Sequence, residues 1–186
     1  AVEGAFEQNR GRQEKIAVQR EALSIPLRGV RLSAIGNRKR RDVHESRWTT
    51  GSRQFPLARA FLKDIAARQT SLLSRAKFVS LPPGHRVFPH VDRGEYYRLR
   101  NRYHLVLQST GSWMRAGDEE VWMRTGELWW FDNDAEHEAC NDGDTDRIHL
   151  IFEYYDRQQP EPEWLAQLPR AVAEQIAWKN GEALFA

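Results

Sequence analysis

Tyr103-His104-Leu105-Val106-Leu107-Gln108, Trp113-Met114-Arg115, Val121-Trp122-Met123-Arg124 and Leu128-Trp129-Trp130-Phe131 follow one another closely, broken at Thr110-Gly111, Gly117-Asp118 and Thr125-Gly126. Short apolar or alternating runs rich in Val, Leu and aromatic residues, divided by glycine-containing turns, read as strands. The pattern continues outward on both sides. Upstream lie Phe78–Leu81 and Arg86–Pro89, divided by Pro82-Pro83-Gly84. Downstream, past Asn141-Asp142-Gly143, comes the strongest strand, Arg147-Ile148-His149-Leu150-Ile151-Phe152, within a run to Tyr155. Many short strands at regular spacing predict an antiparallel sandwich or barrel.

Helical signals flank this block. Pro56 to Gln69 places Leu57, Phe61 and Ile65 on one helical face. After Pro160 and Pro162, residues Trp164, Leu165, Leu168, Val172, Ile176 and Trp178 again suit helices. Ile25 to Ile35, interrupted by Pro26 and Gly29, reads as an edge strand, and the cationic run Arg38-Lys39-Arg40-Arg41 as a solvated loop. The expected organisation is one domain over 1–186. It has an N-terminal arm or helix (1–24), a β core (77–156) and C-terminal helices (161–180).

Composition narrows the class. The 186 residues carry one cysteine and a formal net charge of +2. Neither a disulfide framework nor a strongly cationic nucleic-acid or membrane binder is expected. Mean hydropathy is −0.72, but 40% hydrophobic residues and seven tryptophans suit a packed core. No apolar run is long enough to span a bilayer, and no signal-peptide pattern opens the chain, so the expected location is cytoplasmic.

The histidines carry the chemistry. His90-Val91-Asp92 is a His-x-carboxylate pair, and His137 lies on a later segment. Residues i and i+2 of an extended chain face one side, so His90 and Asp92 can grip one metal ion, with His137 as third ligand. Two imidazoles and a carboxylate suit non-haem Fe(II) and leave positions open. Arg147 enters an apolar strand, which is costly unless it meets an anion. Two partners suit it: a structural acid such as Asp142 or Asp146, or a dicarboxylate that chelates the metal at its other end.

Four ordered motifs carry a family resemblance. Pro82-Pro83-Gly84-His85-Arg86-Val87-Phe88-Pro89-His90 and Arg102-Tyr103-His104-Leu105-Val106-Leu107 are two of them. Gly126-Glu127-Leu128-Trp129-Trp130-Phe131-Asp132-Asn133 with Glu136-His137-Glu138-Ala139-Cys140-Asn141 is the third, and Arg147 is the fourth. Together they resemble the aspartyl/asparaginyl β-hydroxylase family of Fe(II)/2-oxoglutarate-dependent dioxygenases. The segment Glu161-Pro162-Glu163-Trp164-Leu165 is similar to that family's C-terminal end. The resemblance implies a mainly β, double-stranded β-helix (jelly-roll or cupin-like) fold with flanking helices. It implies His90, Asp92 and His137 as iron ligands and Arg147, Arg102 and His104 as cofactor-binding residues. Fe(II), 2-oxoglutarate and O2 are the implied cofactors. Asp92 stands where animal members carry glycine, so the chain resembles the bacterial branch. The co-substrate serine of animal members aligns at Val79, one place from Ser80, and three extra residues fall within Arg93–Arg100.

The expected activity is hydroxylation of an amino-acid-like substrate, free, carrier-bound or peptidyl, with release of succinate and CO2. Arg93, Arg98, Arg100, Arg102 and Arg115 suggest an anionic substrate. The alternatives are a non-catalytic cupin-like module that binds a small acid, and an oxygenase that modifies nucleic acid or lipid. Neither a nucleic-acid nor a membrane partner is expected.

Overall fold

The computed structural model describes residues 17–35 and 38–155. The expected C-terminal helices at 161–180 lie outside the described residues, as do residues 1–16 of the N-terminal arm. Of that arm, Ala17–Gln19 forms one 3-10 turn and Leu23 already begins a strand.

Among the described residues, ten strands form two sheets. They are β1 (Leu23–Ile35), β2 (Arg38–Trp48), β3 (Leu72–Leu81), β4 (Arg86–His90), β5 (Arg100–Gln108), β6 (Ser112–Ala116), β7 (Glu119–Met123), β8 (Leu128–Trp130), β9 (His137–Asn141) and β10 (Arg147–Tyr155). The larger sheet runs β2-β1-β3-β10-β5-β8, and the smaller β4-β9-β6-β7. All pairings are antiparallel. This is the mainly β jelly-roll architecture of a double-stranded β-helix. Helix α1 (Pro56–Arg68) covers the larger sheet, and a single-turn helix α2 (Glu95–Arg98) follows β4. No described helix is long and apolar enough to cross a membrane.

Two expectations upstream of the core change. The cationic run Arg38–Arg41 is not a loop but the start of β2, hydrogen-bonded to β1. That pairing also moves β1 off the edge. Pro26 has no N–H to give, and the ladder adjusts by a register shift between Pro26 and Arg28. Between β6 and β7, Ala116 pairs with Glu119 across Gly117-Asp118, and Gly117 has φ +58°. A two-residue hairpin needs that left-handed residue, which glycine supplies without a Cβ clash.

Alternation along β3, β5 and β10 gives the larger sheet two unlike faces. Phe78, Tyr103, Leu105, Leu107, Ile148, Leu150 and Phe152 point outward against Ala58, Phe61, Leu62 and Ile65 of α1, forming the main core. The opposite set turns toward the smaller sheet and contains Lys77, Arg102, His104, Arg147 and His149. Cross-strand register aligns them: Ile151 pairs with Lys77 and His104, and His149 with Val79 and Val106. A smaller core of Val106, Met114, Met123, Phe131 and Ala139 fills one end of the space between the sheets.

Candidate metal centre

The space between the sheets is a cavity lined by His90, His137, Arg102, His104, Arg147, Lys77 and apolar residues including Val79, Val87, Met114, Phe131 and Ile151. His90 ends β4 and His137 begins β9, and the two are register partners. Their rings lie 4.2 Å apart. The Nδ1 of His90 is 2.7 Å from the Phe88 carbonyl oxygen, and that of His137 is 3.0 Å from the Ala135 carbonyl oxygen. Each Nδ1–H donates to a carbonyl, which fixes the tautomer and leaves the Nε2 lone pair for a ligand. Those Nε2 atoms lie 4.0 and 3.8 Å from Asp92 carboxylate oxygens. One donor atom from each of the three residues falls within 4.8 Å of the others. Burial, with the neighbouring His90 adding to it, lowers the pKa of His137, although its bond to Ala135 opposes this. A neutral imidazole is the form that binds metal. Two imidazole nitrogens and a carboxylate oxygen in this spacing suit Fe(II).

Arg102 is held on both sides. Its Nη1 donates to Asp92 Oδ2. Its Nη2 and Nε donate to Glu153 Oε1 at 2.6 and 3.1 Å. The hydroxyl of Tyr96, on α2, donates to Glu153 Oε2 at 2.5 Å and accepts from the Arg75 N–H at 3.2 Å. Arg102 therefore orients the Asp92 carboxylate, and Glu153 and Tyr96 orient Arg102. Tyr96 lies within Arg93–Arg100, the stretch that holds the three extra residues. Neither Glu153 nor Tyr96 stood out in the sequence, although Glu153 alternates with His149 and Ile151 on β10.

Arg147 is the opposite case. It is 2% exposed, and its Nε and Nη1 have no hydrogen-bond partner. The two structural acids that could have met it are engaged elsewhere. Asp146 accepts from Ser80 at 2.8 Å, and Asp142 accepts from Trp113 Nε1 at 2.7 Å. Burial lowers the Arg147 pKa to about 10, so the guanidinium stays charged at neutral pH. Val79 lines the cavity beside it, while Ser80 faces Asp146, as strand alternation requires. His104 and His149 are buried, with their Nδ1 atoms 3.4 Å apart and both Nε2 atoms unpartnered. Burial first, then the nearby Arg147, holds both pKa values well below the usual histidine range. Both rings are neutral at pH 7, and a hydrogen bond between them requires the Nδ1 proton on one ring only.

Of the arginines that suggest an anionic substrate, three are bonded to other parts of the protein, Arg102 as described. Arg100 is buried, bonded to Ser74 Oγ at 2.8 Å and the Tyr96 carbonyl oxygen at 2.9 Å. Arg115 bonds Glu138 at 2.8 Å on the smaller sheet. Arg93 and Arg98 are exposed. Besides Arg102 and Arg147, a third cation lines the cavity, Lys77, for which the sequence offered no role. Its signal is weaker than that of Arg147, because Arg75 lies two places before it on the same strand.

A jelly roll with a His-x-Asp…His group facing a buried arginine defines a class of metal-site β proteins, and comparison narrows it. The family model for aspartyl/asparaginyl β-hydroxylase matches residues 31–157. The chain belongs to that hydroxylase family. No curated protein matches it. Among solved structures, a predicted oxalate decarboxylase from Thermotoga maritima is similar at 20% identity and TM-score 0.38, over 50% of this chain and 73% of that one. The cupin domain of Schizosaccharomyces pombe Cnp3 is similar at 13% identity and TM-score 0.39, over 46% and 62%. A cupin domain of an Enterobacter cloacae transcriptional regulator is similar at 16% identity and TM-score 0.38, over 45% and 82%.

Proposed function

We propose that this chain is an Fe(II)/2-oxoglutarate-dependent hydroxylase, a single catalytic domain acting on an amino-acid-like substrate, free, carrier-bound or peptidyl. One observation carries the reading: an unpartnered, buried guanidinium shares a cavity with a two-histidine, one-carboxylate donor set. A buried charge without a partner is expensive, and a dicarboxylate bound at its far end by Arg147 would neutralise it. Iron bound by His90, Asp92 and His137 supplies the oxidative chemistry: O2 and 2-oxoglutarate are consumed, a substrate C–H becomes C–OH, and succinate and CO2 leave.

The residues around that chemistry have separable tasks. Arg147 matches the distal carboxylate with two parallel hydrogen bonds. His104, with Nδ1 accepting from His149, presents an Nε2–H to an anion near the metal. Arg102 holds Asp92 in place and is itself held by Glu153. Phe131, Met114 and Val87 keep the pocket dry, which strengthens each of these interactions. The test is succinate formation by the iron-loaded protein with 2-oxoglutarate under air. Wild type forms it and His137→Ala does not. Iron and 2-oxoglutarate bound without any succinate would favour the non-catalytic module, and succinate formation by His137→Ala would overturn the ligand set.

A further inference from the structure

Lys77 faces the cavity from β3, two residues before Val79. It is half-buried, and its Nζ makes one long hydrogen bond, 3.4 Å to Gln19 Oε1. Among the described residues no carboxylate forms an ion pair with it, although Asp92 and Glu153 lie close enough to act through space. Both of those acids are already bound by Arg102. Gln19 and Ala22, from the segment preceding β1, close the cavity beside Lys77. That segment is pinned in turn: Glu21 accepts the Arg86 N–H at 2.9 Å, and Arg20 lies over the Phe88 ring.

The charges around the cavity do not balance. Lys77, Arg102 and Arg147 are cations; Asp92 and Glu153 are anions; His104 and His149 are neutral. A divalent metal raises the net charge to three positive. A dicarboxylate removes two, leaving one positive charge in a site with little water. Arg102 is committed and Arg147 is the one the dicarboxylate would meet. The uncompensated charge is that of the Lys77 ammonium.

We infer that Lys77, with the Gln19 side chain beside it, is a carboxylate subsite for the substrate, distinct from the Arg147 subsite. The substrate class is then a carboxylate-bearing molecule of amino-acid type, either free or presented as a peptide carboxylate. This rests on the proposed role of Arg147. Burial, with Arg102 and Arg75 adding to it, lowers the amine to about pKa 8, so it is still largely protonated at neutral pH, and an arriving carboxylate favours that form.

The experiment uses full-length protein loaded with Mn(II) and saturated with 2-oxoglutarate, so that binding is read without turnover. Titration calorimetry compares free amino acids with their amides, and short peptides ending in an acid with the same peptides amidated. At least one acid is expected to bind about tenfold or more tightly than its amide, as a charge-assisted hydrogen bond implies. Free acids and peptides distinguish the two sources. In Lys77→Met the acid preference disappears while 2-oxoglutarate affinity changes little; Lys77→Arg restores part of the preference. The inference is overturned if no acid outbinds its amide, if Lys77→Met keeps the preference, or if it weakens 2-oxoglutarate as strongly as the acid. Failure of wild type to bind 2-oxoglutarate would instead overturn the oxygenase reading, and the acid–amide comparison on Mn(II)-loaded protein would still report on Lys77.

Discussion

The two faces of the larger sheet are made by the same strands and obey opposite rules. On the outer face Phe78, Leu105, Leu150 and Phe152 are fully or almost fully buried among apolar neighbours of α1. One residue away, on the inner face, Lys77, His104 and Arg147 line a cavity, with His149 behind His104 and Arg102 paired with Glu153. The outer face lowers the free energy of the fold by removing apolar area from water. The inner face raises it by holding charge away from water. A strand with period two can do both, because neighbouring side chains never share an environment. The two faces can therefore be perturbed separately.

Phe152→Ala is the largest perturbation on the outer side. It removes a ring that contacts both Tyr103 and Phe61, and should cost about 3–5 kcal/mol of stability. Chemical denaturation measures it; a loss below about 1 kcal/mol would mean that this face does not carry the fold. Arg147→Leu makes the complementary change. The affinity for 2-oxoglutarate should fall on the order of 100-fold, about 2.7 kcal/mol, while the thermal midpoint holds or rises because an unpartnered buried charge is gone. A lowered midpoint with intact affinity would break the contrast between the faces. Glu153→Gln tests the paired part of the inner face. Arg102 loses its charged anchor and pulls on Asp92, so metal affinity should drop roughly tenfold or more and stability by about 1–3 kcal/mol. Unchanged metal affinity would remove Glu153 from the support of the site.

The smallest effect is on the pH dependence of stability. His104 and His149 have folded pKa values depressed below 6.5. Below that pH the unfolded chain takes up protons that the folded state refuses, so stability falls as pH drops through 6.5 and levels off above it. Each histidine contributes at most about 1.4 kcal/mol per pH unit. His149→Leu in metal-free protein should make the slope between pH 5 and 6.5 shallower. An unaltered slope would mean that His149 is protonated in the folded state.

The core strands were legible because their alternation and turn residues agree with one another. What escaped was set by pairing partners. His137–Asn141 carries a histidine, a glutamate and an alanine and shows little strand propensity; flanking β4 and β6 make it β9. The cationic Arg38–Trp48 becomes β2 because β1 offers it a ladder. In the site, the spacing of His90, Asp92 and His137 and the isolation of Arg147 in its strand were both visible in one dimension. The resemblance gives Arg102 to the cofactor; the fold adds that its guanidinium, at the cavity wall, bridges Asp92 and Glu153. That bridge joins β5 to β10 and to the segment after β4, a contact between distant parts of the chain that no local pattern encodes.

The pairing of His90 with His137 has a further consequence. β4 is the edge strand of the smaller sheet, five residues long, and its ladder with β9 is irregular between Val87 and His90. A slip of one residue would turn one imidazole out of the cavity. An ion held by both rings would thus act as a rivet that accepts one alignment and rejects its neighbours. Chains folded in its presence would be proofread at this edge. Chains folded without it would keep an unsecured strand able to pair with other molecules.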